Sequence, residues 1–313
     1  MRDLSLCLNL LLVHTTCRVE AMKRITGAPS DSSTVVVSTD MKPPVYVPSC
    51  RRASTDFRGK YVVKLCVGLF SSHTTQKHYV FCYIGNIKHG VNSNVTLMYH
   101  MLRHHLWNPA TMRAWKLVVH WDGASDNVGW PMLALLCHIV DKDWYYQVET
   151  HRQPTHHGHF YDDQKFQVIM TGWNSTFLTT NLAMALFKLI MAFKNNQEQY
   201  VLVLIQKSYD WVEYFQSSMN KNIKYYSKPL SWRITRDEEV GLPTAECKDW
   251  GEAAQTWMRT KASPKGPPIR LVVGRPGTPH TSQHAPEALS FAVLVQTRSS
   301  PMPFPMKFGL HPS

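Results

Sequence analysis

The chain has 313 residues, 44% of them hydrophobic and 11% aromatic, which excludes an intrinsically disordered protein and allows a sizeable core. Charged residues make up only 18%, yet the formal net charge is +12. The basicity therefore reflects scarce carboxylates, and a polyanion such as nucleic acid is the natural partner.

The opening "MRDLSLCLNLLLVHTT" holds an apolar run near signal-peptide length, but Asp3 cancels Arg2 and Asn9 interrupts the run. Secretion is the minor alternative to a nuclear or other intracellular location. No stretch approaches the ~20 apolar residues of a membrane span, so no membrane partner is expected. The seven cysteines contain no CxxC pair, which excludes a zinc finger and reads as reduced thiols, mostly in the core. Residues 1–33 form a leader and linker ending in "GAPSDSST".

"STVVVST" (33–39) is a β-branched strand that stops at Asp40, and the prolines of "MKPPVYVP" bar the next stretch from being a central strand. "KYVVKLCVGLF" (60–70) and "KHYVFCYIG" (77–85) are two further strands joined by a polar turn. "NSNVTLMYHMLRHHLW" (92–107) places Val95, Met98, Met101, Leu102 and Leu106 at helical spacing. "WKLVVHW" (115–121) is a fourth strand, ending at Asp122. "WPMLALLCHIVDK" (130–142) is an apolar helix with Pro131 in its first turn. "WYYQVETHR" (144–152) is a fifth strand, and the segments around "DQKFQVIM" and 179–194 are helical. Residues 34–216 thus form the main domain and 217–261 a small β-rich extension. Residues 262–313, rich in Pro and Gly, form a tail expected to be unstructured.

The order β-β-β-α-β-α-β-α is that of a ribonuclease H-like α/β fold, a mixed five-stranded sheet flanked by helices. In that arrangement the three leading strands form a meander and the later ones return through helices as parallel neighbours. The first and fourth strands then lie side by side. Asp40 follows the first strand, Asp122 the fourth, and Asp163 opens the helix after the fifth, so three carboxylates can converge at one sheet edge. Two Mg²⁺ or Mn²⁺ ions about 4 Å apart need such a cluster of hard oxygen ligands for phosphoryl chemistry. Taken singly, Asp40 and Asp122 are equally strand-end turn residues.

"HHGHFYDDQKF" (156–166) adds His157 and His159, which share one face of an extended segment. They are candidates to join a metal shell, contact phosphate or move a proton near neutral pH. The alternative is a polar loop with solvated rings. Histidine ligation would suit Zn²⁺ or Mn²⁺ better than Mg²⁺. Asn127 either caps the next helix or positions substrate. Asp210–Trp211 is expected to orient a helix, with Trp211 buried.

These residues resemble the ribonuclease H-like domain of transposase-derived eukaryotic proteins of uncharacterised function, relatives of the DDE/DDD-type transposases. That family has a strand ending in Asp before an Asn-containing turn, then a Gly-His-Thr-His-Glu-Asp-x-Asp-Gln-x-Phe signature. His157, His159, Asp163, Gln164 and Phe166 match the signature, and Asp122 and Asn127 match the earlier element. "VSTDMKP", "DWVEYF" and the β-rich "WRITRDEEVG" resemble further family segments, so the likeness covers roughly residues 34–260. Phe160 and Tyr161 stand where the family carries two acids. The resemblance implies either metal-dependent hydrolysis or strand transfer at a DNA phosphodiester, or a non-enzymatic DNA- or protein-binding relic of a transposase.

Overall fold

Strand β1 (Thr34–Met41) lies in the middle of the sheet because its valines can be buried on both faces, and Val35, Val36 and Val37 all are. The computed structural model describes residues 12, 15, 19, 23, 32–41, 45–47, 49–50, 61–73, 76–84, 90–106, 115–121 and 129–152. It also describes residues 167, 178–179, 200–205, 208–220, 231–239, 241–248, 257 and 295–296.

On one side β1 pairs antiparallel with β4 (Tyr61–Ser71), which pairs antiparallel with β5 (Gln76–Ile84). On the other side it pairs parallel with β6 (Lys116–Trp121), and β6 runs parallel to β7 (Gln147–Arg152). The order β5-β4-β1-β6-β7 is thus a three-strand meander followed by parallel additions. The first and fourth strands expected from the sequence are neighbours.

The sheet is wider than the five strands expected. Strand β9 (Tyr200–Ile205) adds parallel to β5, and β12 (Val295–Gln296) pairs with β9. At the opposite edge the hairpin of β10 (Ser231–Arg236) and β11 (Pro243–Lys248) continues the sheet through an antiparallel pairing with β7. Unpaired ladder groups at β5 and β7 offer such edges, and local periodicity does not announce which segment takes them. The short β2 (Val45–Val47) pairs with β4, while β3 (Ser49–Cys50) and β8 (Leu178–Thr179) form a separate pair.

The three described helices pack on one face. Helix α1 (Val91–Leu106) buries Val95, Met98, Met101 and Leu102; α2 (Trp130–Asp141) is buried along most of its length; the short α3 (Trp211–Phe215) contributes Trp211 and Phe215. They meet Val35 and Val37 of β1, Phe70 of β4, Tyr79 and Phe81 of β5, and Leu117, Val119 and Trp121 of β6. Gly68 allows the close approach of α1, since a Cβ there would stand 2.8 Å from the Met101 sulfur. Arg236 of β10 donates to the Val140 and Asp141 carbonyls at the C-terminus of α2 and pairs with Asp143, a residue at φ 54° in the turn that follows. No described helix is long and apolar enough to cross a membrane.

Candidate functional site

Alternation along β1 separates two sets of side chains. Val35 and Val37 face the helices; Val36, Ser38 and Asp40 face the other side. Asp40 is half-buried and stands opposite Val67 of β4, one residue beyond Thr39, which is in register with Trp121 of β6. Asp122 is the next residue in the chain after Trp121. Asp122, Asn127, His157, His159 and Asp163 all lie outside the described residues, as do Phe160 and Tyr161. Of the sequence candidates, Asp40 is therefore the one with a described position. Among the described residues, no group of three or more His, Cys, Asp or Glu side chains is arranged to hold a metal ion.

Asp40 shares its face with a polar row that sequence reasoning did not single out. Ser38, His120, His151, Ser231 and Lys248 stand in register across β1, β6, β7, β10 and β11. All five are buried. The His120 and His151 rings stack with centroids 5.2 Å apart and planes 27° apart. His151 Nδ1 shares a hydrogen bond with the Ser231 hydroxyl at 3.0 Å, and its Nε2 lies 3.8 Å from Glu149 Oε2.

Glu149 anchors the next row. Lys116 Nζ approaches its Oε2 at 2.9 Å, while Arg233 Nε and Gln147 Nε2 donate to Oε1 at 3.1 and 2.8 Å. Burial opposes ionisation of this carboxyl, but the hydrogen bonds and charges of His151 and Lys116 outweigh it and hold its pKa well below the usual carboxylate range. Arg233 also pairs with Glu246 at 3.4 Å, and its guanidinium and the Lys248 ammonium each lie over the Trp257 ring. The signal in the sequence was His120 in "KLVVHW" and Glu149 and His151 in "QVETHR". Once β6 and β7 are interior strands, polar residues on both faces are out of place.

On the helix side, Asp210 caps α3, accepting from Glu213 N at 3.0 Å, and Trp211 is buried, as the sequence suggested. The two residues belong to a clamp between α1 and α3 that has no part in the Asp40 face.

Residues 60–253 match the family described as "Domain of unknown function (DUF7869)". The chain belongs to this family. No curated protein matches it. Among solved structures, the DUF7869 chain is similar to the MID-PIWI domains of the QDE-2 AGO protein of N. crassa, at 13% identity and a TM-score of 0.24. That match covers 41% of this chain and 38% of the other, well under two thirds of its length. NurA with manganese is similar at 9% identity, covering 78% of this chain and 86% of that one with a TM-score of 0.19. NurA bound to dAMP and manganese is similar at 8% identity, covering 71% and 67%, with a TM-score of 0.18.

Proposed function

We propose that this DUF7869 chain is a ribonuclease H-like, transposase-derived domain that acts on DNA from a nuclear or other intracellular location. Asp40, Asp122 and Asp163 would be its metal-binding carboxylates. The observation that carries the reading is the parallel pairing of β1 and β6 with Thr39 beside Trp121. A trans peptide separates consecutive Cα atoms by about 3.8 Å and neighbouring strands lie about 4.8 Å apart. Trp121, the last residue of β6, therefore lies close to Asp40, and Asp122 is the residue that follows it in the chain.

The donor chemistry fits a hard divalent cation, Mg²⁺ or Mn²⁺, because the proposed ligands are carboxylate oxygens and Asp40 is half-buried beside the apolar Val67. When bound, such a pair of ions supplies an activated water and neutralises charge at the leaving oxygen. Asp40, Asp122 and Asp163 would hold the ions. His157 and His159 would contact phosphate or move a proton, and Asn127 would orient the strand being cut.

Phe160 and Tyr161, in place of two acids, favour a second reading, a transposase relic that binds DNA or protein without cutting it. Nicking of supercoiled DNA with Mn²⁺ separates the two. Asp163→Ala is expected to retain salt-dependent DNA binding, which comes from Lys and Arg, and to abolish nicking. Nicking gained only in a Phe160→Glu, Tyr161→Asp variant identifies a silenced nuclease. Binding with no nicking in either protein favours the relic, and no binding at moderate salt removes the nucleic-acid reading.

A further inference from the structure

Trp115 and Tyr146 stand at the entrances to β6 and β7, one residue before the paired Lys116 and Gln147. Their backbone is fixed. The Tyr146 and Gln147 N–H groups donate to the Trp115 carbonyl at 2.9 and 3.0 Å, and the Lys116 N–H donates to the Ser33 carbonyl at 2.9 Å. The side chains are nevertheless 67% and 56% exposed, and their rings meet with centroids 5.8 Å apart and planes 50° apart. By alternation both belong to the helix side of the sheet, in line with the buried Leu117 and Val148, so the apolar line of the core emerges into solvent at this end. Single exposed apolar residues are ordinary, but two touching aromatics on a fixed backbone are a surface of the kind enriched at interfaces.

The charge around them selects the partner. Residues 141–143 turn from α2 towards β7 and lead into Tyr146, while residues 237–239 begin the turn of the β10–β11 hairpin. Thr235 pairs with Gln147, which brings Arg236 to the level of Tyr146, and Arg236 Nη1 joins the two turns through Asp143 Oδ1 at 2.9 Å. Asp141, Asp143, Asp237, Glu238 and Glu239 here outnumber Lys142 and Arg236, in a chain whose total charge is +12. Phosphate is repelled from such a surface, and an uncharged apolar partner would strip water from carboxylates without pairing them. A guanidinium satisfies both features, because its plane stacks on indole and phenol rings and its N–H fork binds carboxylates.

We infer that the Trp115–Tyr146 surface docks an arginine-bearing peptide segment of a partner protein, the two rings stacking on guanidinium groups and the flanking carboxylates supplying the opposite charge. The surface lies at the other end of β1 and β6 from Asp40, so this inference stands apart from the metal-site reading.

The test is fluorescence anisotropy of a labelled arginine–glycine repeat peptide titrated with the full chain. Trp115→Ala and Tyr146→Ala are each expected to raise the dissociation constant about 2- to 30-fold. Both side chains are largely in water, so the two variants should melt close to wild type, which separates lost contact from lost fold. Glu238→Lys combined with Glu239→Lys should also weaken binding, by a factor that shrinks as salt is raised. No binding of the peptide to wild type, or equal binding by wild type and both alanine variants, would overturn the inference. So would an oligothymidylate whose binding, unlike that of the peptide, is weakened by Trp115→Ala, which would make this a nucleic-acid surface. A wild-type dimer in sedimentation that Trp115→Ala splits would overturn it as well, by making a second copy of the chain the occupant.

Discussion

Glu149 sits 7% exposed on a sheet face, where Lys116, Arg233 and His151 offset the water it gives up. Breaking a buried pair by removing one partner costs about 3–5 kcal/mol. Lys116 and Arg233 keep 34% and 31% of their side-chain surface and can rehydrate, so Glu149→Ala should cost nearer ~2 kcal/mol. The fold depresses this pKa, so the contribution is present above the unfolded value of about 4.3 and is lost as pH falls from there toward the folded value. His100 and His138 act in a higher window. Burial lowers both to about 4, with Arg103 beside His100 and Lys142 beside His138 adding to the effect. Protonation therefore favours the unfolded chain, and their contribution is complete above about pH 6.5 and is lost as pH falls toward 4. Acid should thus destabilise the protein in two stages. Urea denaturation from pH 7 to 3 checks this: His138→Phe should flatten the limb between 6.5 and 4, whereas Glu149→Ala should converge on wild type only below about 4.3.

Helix α3 is five residues long, too short to persist through its own hydrogen bonds. It is held by α1. Asn92 accepts from Val212 N at 3.2 Å and donates to Asp210 at 3.1 Å, while Thr96 Oγ1 accepts from the Trp211 indole at 2.9 Å and from Tyr209 N at 3.2 Å. Thr96→Val keeps the shape but strands two donors, one of them in the core, and should cost about 2 kcal/mol by urea denaturation. Asn92→Ser, on the wetter side of the clamp, should cost less. Among the elements, the sequence was informative where periodicity is local. The strands at β1, β4, β5, β6 and β7 and helices α1 and α2 lie within a few residues of where alternation and helical spacing put them. Strand β9 went unseen because "YVLVLI" is a short apolar run with no partner visible in the sequence. The pairing of β10 with β7 is a long-range choice of edge, which no window of residues encodes.

For the whole molecule, the family match begins at residue 60, yet β1 ends at Met41 and lies between β4 and β6. A chain of residues 60–253 alone would leave β4 and β6 each with one unpaired edge in the middle of the sheet and expose Val67, Leu69, Val118 and Val119, all buried in the full chain. Such a fragment is expected to be insoluble or to lack a cooperative melting transition, and restoring residues 32–41 ahead of it should recover both. The site was legible only in outline. The strand order put Asp40 beside the end of β6, but the polar row behind it was not visible, because His120, Glu149 and His151 each look like the outward half of an ordinary alternating strand. They become unusual only when β6 and β7 are known to be covered on both faces.

If Asp40 and Asp122 share a divalent cation, its binding must stabilise the folded chain. The most direct measurement is the melting temperature of the full chain with and without saturating Mn²⁺, in wild type, Asp40→Asn and Asp122→Asn. Saturation at about a hundred times the dissociation constant adds roughly 2.7 kcal/mol of stability, which should raise the wild-type melting temperature by about 5 °C or more. Each variant should lose that rise while keeping, or slightly exceeding, the metal-free melting temperature of wild type, since one of two repelling carboxylates is gone. An equal Mn²⁺ response in all three proteins would mean that these two carboxylates hold no common ion.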